Sequence, residues 1–301
     1  MVPRNPAKPA GRECVGVTTA AAASPLIEPE VTLIRPSRGW GGFNLRELWR
    51  YRELIYFLIW RDIKVRYKQT VLGAAWAVLK PLMTMVIFAV IFGGLARIPT
   101  DEIPPPLFYF AGLIPWLLFQ DGVSKAGTSL VSSGHLVTKV YFPRMAIPLA
   151  SVVSGVVDTG LSFLVLLGMM AYFGVRATAA LWTLPLFLLL ALVTALGVGL
   201  WLSAMNVTYR DIGYITPFLV QIWMYASPVA YSTTLIPEGP WRVVYGLNPM
   251  AGVVQGFRWA LLGVGSPPSA LMAASVAIAA VLLISGAVYF RRAERTFADV
   301  V

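Results

Sequence analysis

From residue 72 onward, long apolar runs alternate with short polar segments. A helix of about 20 apolar residues crosses a hydrocarbon core roughly 30 Å thick, because each residue adds about 1.5 Å. The pattern predicts six spans, over residues 72–96, 107–128, 145–173, 181–205, 212–232 and 270–290. Asp121 and Lys125 interrupt the end of the second. Pro81, Pro148, Pro185, Pro217 and Pro228 fall within spans. In a membrane, neighbouring groups satisfy the carbonyls that proline frees, so these residues do not veto the assignment.

The flanking segments have other periods. Residues 1–44 are rich in Pro, Ala, Arg, Thr and Glu without helical or alternating spacing, and read as a disordered cytoplasmic tail. Over 45–70, Leu45, Leu48, Trp49, Ile55, Ile59, Ile63 and Tyr67 recur at helical spacing. Arg46, Arg50, Glu53, Arg61, Lys64 and Lys68 lie mainly on the opposite side, while Arg52 and Phe57 break the division. This predicts a basic amphipathic helix in the plane of the membrane interface, or one docked on a partner protein. Residues 233–269 hold Pro237, Pro240, Asn248, Pro249, Pro267 and Pro268 around the moderately apolar stretch Met250–Val264, which contains Gln255 and Arg258. That stretch is too short and too polar for a span and predicts a re-entrant or interfacial hairpin on the outer side. The fold class expected is therefore all-α and integral to the membrane, residues 71–301 forming the transmembrane domain.

Composition agrees. The 301 residues are 57% hydrophobic and 13% charged, about half the charged share of a typical soluble domain. A net charge of +10 raises the question of nucleic acid, yet 12 of the 24 Lys and Arg residues lie between Arg4 and Lys68, ahead of the first span. With the N-terminus inside, inner segments carry 19 of these cations and outer segments four. Positive residues favour the cytoplasmic side, so both termini are expected there and no nucleic-acid role is implied. The single cysteine, Cys14, excludes an internal disulfide. The first 40 residues lack a secretory signal, so the first span is expected to direct insertion.

Candidate chemistry is sparse. The chain has no Gly-Lys dipeptide and hence no phosphate-binding loop of the G-x-x-x-x-G-K-[ST] kind. His135 is the only histidine, and no Gly-x-Ser-x-Gly turn occurs. Neither catalysis nor a metal site is expected of this chain. Lys80, Asp121, Lys125 and Asp158 are the charges within spans, and such groups are functional candidates. Asp158 suits either a proton relay or a carboxylate bonded to a neighbouring helix. Lys80 is placed to reach the inner surface.

Several segments together resemble the ABC type-2 permeases, most closely the branch that exports O-antigen, capsule and teichoic acid. They are Arg61-Asp62-Ile63-Lys64-Val65-Arg66-Tyr67-Lys68 with Leu72-Gly73, Trp76 and Pro81-Leu82; then Leu136, Lys139, Val140, Phe142 and Pro143. Asn206-Val207, Arg210-Asp211-Ile212, Ser227-Pro228-Val229 with Tyr231, Asn248-Pro249 and the stretch from Phe290 to Asp299 follow in order. The resemblance covers roughly residues 45–301. The long tail and Lys80 depart from the branch.

The resemblance implies a homodimer of this permease, paired with a cytoplasmic ABC ATPase dimer that binds ATP and Mg. The cargo implied is a lipid-linked polysaccharide carried across the bacterial inner membrane. Ser132, Ser133, His135, Leu136, Lys139, Phe142, Pro143 and Arg144 then form the candidate coupling helix. Arg61 and Asp62 at the end of the interface helix, and Arg210 and Asp211 in a cytoplasmic turn, are gating candidates. Tyr109, Trp116, Phe119, Trp223, Tyr225 and Tyr231 are candidates for stacking on sugar rings. A permease for a drug or lipid, a membrane-embedded transferase and a scaffold for a glycan synthase complex are the alternatives.

Overall fold

Five of the six predicted runs become helices long and apolar enough to cross a membrane: Ala75–Leu95, Pro105–Ser132, Ala146–Phe173, Ala179–Thr208 and Met272–Glu294. They belong to a computed structural model that describes residues 45–68, 73, 75–139, 142–235, 245–265, 270–294 and 297. All regular structure among these residues is helical. The predicted tail lies outside them, as do Leu72, Val140, Pro237, Pro240, Arg242, Pro267, Pro268, Arg295, Thr296, Ala298 and Asp299.

In chain order the helices are α1 (Leu45–Arg50), α2 (Arg52–Lys68), α3 (Ala75–Phe88), α4 (Pro105–Ser132), α5 (Gly134–Lys139) and α6 (Ala146–Val153). Then come α7 (Gly155–Phe173), α8 (Leu184–Thr208), α9 (Ile212–Tyr225), α10 (Pro249–Leu262) and α11 (Ala270–Glu294). A wider π-helical stretch, Ala89–Leu95, continues α3, and a tight 3₁₀ turn, Ala179–Thr183, leads into α8. Helices α6 and α7 together make the third long run.

Helix α4 is the axis of the bundle. Its apolar residues run all the way round rather than along one stripe, as a helix enclosed by others requires, and 18 of its 28 residues are buried. It packs on α3, α6, α7, α8, α9 and α10. Helix α3 is the opposite case: 17% of its apolar window is buried, against 78% for α4, so most of its side chains face outward. Helix α8 also lies against α11. A Cβ built on Gly286 would stand 2.4 Å from the carbonyl oxygen of Gly197, so glycine at 286 is what permits this crossing.

The sequence places a sixth run at 212–232, and here the structure differs. Helix α9 stops at Tyr225 after 14 residues, a rise of about 21 Å. The reason lies in the next six residues, whose polar groups are claimed from elsewhere. The Ala226 carbonyl accepts from Asn248 Nδ2 at 3.1 Å. The carbonyls of Pro228 and Val229 each accept from Arg258 at 2.6 Å. Pro228 has no N–H for the Met224 carbonyl, and these contacts hold the following residues in a turn instead.

The expected hairpin stretch forms α10, with eleven buried residues. Asn248 caps its start, its Oδ1 accepting from the Met250 N–H at 3.0 Å, as asparagine at this position does. Gly263, at φ +74°, ends it in the left-handed region.

The N-terminal helix is broken at Tyr51 into α1 and α2. Its division into faces is less clean than the sequence predicts. Leu48 and Leu58 are buried, but Trp49, Tyr56, Phe57, Trp60 and Val65 are exposed among basic residues. Arg52 lies over the Trp49 ring and Lys64 over the Trp60 ring, at 5.8 and 5.4 Å from the centroids.

Candidate functional site

A second apolar cluster gathers the pieces at one end of the bundle. It joins Leu48 and Leu58 to Phe142, Met145, Ile147 and Ala150, to Leu200, Ala204 and Val207 of α8, and to Phe290 and Phe297. Helices α4, α8 and α11 end here, so α2, α5 and the 208–212 turn share it.

The candidate coupling segment begins where α4 ends. Ser132 is its last residue and Ser133 caps it, buried, its N–H directed to the carbonyls of Ser129 and Leu130. Helix α5 presents His135 and Lys139 outward, with Leu136 half-buried. Beyond it the chain is clamped. Phe142 is buried in the second cluster, and after half-buried Pro143 the Arg144 guanidinium donates to the Glu294 carbonyl at 2.7 Å. Arg144 also lies over the Phe297 ring. The short exposed α5 thus stands between α4 and α6, with Phe142 and Arg144 anchored behind it.

Around Asp158 the structure assembles charges that the sequence shows only separately. The Arg66 Nη1 and the Tyr67 hydroxyl, from α2, both donate to its carboxylate, and Arg66 Nη2 donates to Ser154 Oγ at 3.2 Å. Lys125 of α4 stands 3.8 Å from Asp158 and 3.7 Å from Asp121, which pairs with Lys80 of α3 at 3.2 Å. Arg66, Asp158, Lys125, Asp121 and Lys80 thus form a chain of alternating sign, cationic at both ends, that links four helices. Burial, with the hydrogen bond to Asp158 second, pushes the Tyr67 phenol up to about 12. Beside the chain lies a cavity of about 400 Å³, walled by Trp76, Pro81, Ile114 and Leu118 and bordered by these charges.

The gating candidates do not meet. Arg61 bonds its neighbour Asp62 at 2.9 Å, and Asp62 accepts from Ser151 Oγ at 3.5 Å. Helix α2 runs on past this pair to Lys68, so the pair does not end it. Arg210 and Asp211 are exposed in the turn before α9 and make no ion pair among the described residues. That turn is shaped by Asn206, whose Nδ2 donates to the Gly127 carbonyl and whose Oδ1 accepts from the Gly213 N–H, both at 3.0 Å.

The aromatic candidates divide. Tyr109, Trp116 and Phe119 are wholly buried in the core. The Trp116 indole donates to Gln120 Oε1 at 3.0 Å, and Phe119 meets the Trp223 ring edge-on at 5.0 Å. Trp223 is half-buried, its indole donating to Asn248 Oδ1 at 2.9 Å. Tyr225 is 56% exposed, and half-buried Tyr231 accepts from the Tyr245 hydroxyl at 2.8 Å. Of the six candidates, Tyr225 is therefore exposed and Trp223 and Tyr231 partly so.

Arg258 was passed over by the sequence reading as an outer charge, yet it is 4% exposed. Besides Pro228 and Val229 it donates to the carbonyls of Phe108 at 3.2 Å and Tyr231 at 3.4 Å, and it stacks over the Phe108 ring at 3.8 Å. A Cβ on Gly112 would stand 2.3 Å from its Nη2. An arginine within an apolar stretch bounded by prolines was the available signal. It ties α10 and the turn after α9 to α4.

Five long apolar helices, one of them the buried axis, with charges paired inside, define a multi-pass helical membrane protein. The chain belongs to the ABC-2 type transporter family, whose model matches residues 53–262. It is 30% identical to the "O-antigen export system permease protein RfbA" of Myxococcus xanthus over 257 residues, 85% of this chain and 98% of that one. It is 29% identical to the protein of the same description from Klebsiella pneumoniae over 68% of this chain and 79% of that one. The "Polysialic acid transport protein KpsM" of Escherichia coli is 24% identical over 68% and 80% respectively. The resemblance drawn from the sequence motifs, to ABC type-2 permeases and to their polysaccharide-export branch, is borne out.

Proposed function

We propose that this chain is the membrane-spanning subunit of an ATP-driven exporter that carries lipid-linked polysaccharide of the O-antigen kind out of the cytoplasm across the inner membrane. The observation that carries this reading is the match to an O-antigen export permease over 98% of that protein's length. Export requires a vectorial push, and the exposed α5 on its clamped base is the element suited to receive one. A separate cytoplasmic ABC ATPase dimer binds ATP and Mg and docks at α5, with His135 and Lys139 at the contact. Arg61, Asp62, Arg210 and Asp211 lie at the same end and respond to that docking.

In this reading both termini are cytoplasmic, the side that the distribution of Lys and Arg favours. Helix α9 and the turn after it make a sixth, thin crossing, α10 enters from the outer side and returns, and α1–α2 lie at the inner interface. The exposed faces of α3 and α9 are covered by lipid and by a second copy of the chain. Tyr225 and Tyr231, at the outer end, offer ring faces on which a sugar polymer slides.

The test is ATP hydrolysis and glycan export by the chain co-purified with its candidate ATPase. A stable complex is expected, with hydrolysis and export both falling at least about tenfold when residues 132–139 are replaced by a Gly-Ser linker. A chain that associates with no ATPase overturns the reading. A narrower alternative keeps the transport and changes the cargo: the "Inner membrane transport permease YadH" of Escherichia coli is 26% identical over 62% of this chain. A complex that hydrolyses ATP but exports no glycan favours it.

A further inference from the structure

Among the described residues, every left-handed residue other than glycine falls in one short connection, between α3 and α4. They are Arg97 at φ +50°, Asp101 at +51° and Glu102 at +64°. Elsewhere the left-handed positions carry glycine: Gly73, Gly174, Gly263 and Gly265. A Cβ makes this backbone costly, least so for asparagine and aspartate. Two such residues in succession are ordinarily Asn-Gly. Here they are Asp101 and Glu102, in a turn closed by the Ile103 N–H donating to the Thr100 carbonyl at 3.1 Å. The connection also follows the π-helical stretch Ala89–Leu95, a rare form that gathers at functional sites. Strain of this kind persists only where surrounding contacts hold it.

A side-chain bond holds this connection down. The Ser232 hydroxyl donates to Asp101 Oδ2 at 2.5 Å, across 131 residues of sequence. Ser232 is buried and belongs to the turn after α9, which Arg258 already fixes through the carbonyls of Pro228, Val229 and Tyr231. The bond therefore ties a strained connection to a fixed one. Helices α3 and α9 both pack on α4 and both turn exposed apolar side chains away from it. The tie joins the chain segments that follow them.

We infer that Asp101 and Ser232 form a latch across the outer end of the chain, with the left-handed backbone at Arg97, Asp101 and Glu102 loaded against it. Breaking the bond lets the 96–104 connection swing away from the turn after α9. A device of this kind needs two states close in energy. Strain raises the closed state toward the open one, and the bond to a carboxylate lowers it again. Glycine at 102 removes the strain and alanine at 232 removes the bond, so the two changes act in opposite directions. The exporter reading enters only in taking the opening as the polymer's exit, beside Tyr231.

The experiment is pulsed electron-spin distance measurement on the full chain in phosphatidylcholine nanodiscs, alone and with its candidate ATPase. In a Cys14→Ser background, spin labels go on Ala96→Cys and Leu235→Cys, both exposed positions. Labelled chain is diluted with unlabelled chain, so that distances within one chain dominate. With the latch intact one narrow distance is expected. Ser232→Ala should add a longer one and raise the open-to-closed ratio about tenfold, the worth of one hydrogen bond to a charged group. Ser232→Thr keeps a hydroxyl and should keep the narrow distance. Glu102→Gly added to Ser232→Ala should restore much of it, since glycine bears the left-handed backbone at little cost. A contact that serves packing alone has no reason to respond to glycine at 102. Under ATP turnover the exporting complex should show the longer distance with Asp101 and Ser232 unchanged.

A Ser232→Ala distance equal to that of the parent overturns the latch. So does Glu102→Gly widening the gap instead of narrowing it. A complex that exports glycan with its distance unmoved by ATP sinks the latch and leaves the exporter reading standing. Opening on Ser232→Ala, in a chain that joins no ATPase and exports no glycan, does the reverse.

Discussion

Arg258 shows how much a single buried side chain decides. Its guanidinium serves four carbonyls, two of them at 2.6 Å, and the three at 228, 229 and 231 lie in the turn that follows α9. Replacing it by methionine keeps the bulk and removes every donor. Arg258→Met is expected to cost about 3 kcal/mol, read as a lower thermal midpoint in detergent. Arg258→Lys should recover little of this, since an ammonium cannot reproduce the planar fork. Tyr67 supplies a pH signature. Its phenol keeps its proton to about 12 in the folded chain but releases it near the ordinary 10 when unfolded. The folded state thus binds more protons between those values. Its contribution is whole below pH 10 and is lost as pH rises toward 12. Tyr67→Phe should flatten the wild-type fall in stability over that window in a melting-temperature series.

Between helices, the Asp158 carboxylate is the fastening of α2 to the bundle. It accepts from Arg66 and Tyr67 across 92 and 91 residues of sequence and lies 3.8 Å from Lys125. The sequence left open a proton relay or a carboxylate bonded to a neighbouring helix, and the structure gives it the second arrangement. Asp158→Asn keeps the shape but loses the ionic half of these bonds. It is expected to ease local release of α2 by about 1–3 kcal/mol. Trypsin should then cut at Lys64 and Lys68 roughly tenfold faster than in wild type, with cleavage within residues 1–44 unchanged.

For the whole molecule, the sharpest expectation concerns sidedness. The exposed Ala96, after α3, and Lys139, at the end of α5, lie at opposite ends of the bundle. In a Cys14→Ser background, Ala96→Cys should react with an impermeant maleimide added to intact cells. Lys139→Cys should react only after the membrane is opened. The opposite pattern reverses the topology, and with it the placing of the ATPase.

The long runs were legible because a membrane helix must be apolar along its whole length, and length and hydropathy are properties of sequence alone. Orientation was expected on similar grounds, from a count of cations. The turn that follows Tyr225 was not legible, because Arg258 and Asn248 hold it from beyond α9. Nor was the grouping of Lys80, Asp121, Lys125 and Asp158 with Arg66. Their presence in or near the spans was plain, but which way each helix turns them depends on close packing, such as that of Gly286 on the Gly197 carbonyl. For the same reason Tyr109, Trp116 and Phe119 resembled Tyr225 in sequence and differ from it in burial. The sequence by itself determined a helical membrane protein and five of its six predicted long runs, since the bilayer imposes that period on every segment separately. Tertiary structure decided which side chains meet, since helix rotation is set by all the neighbours together.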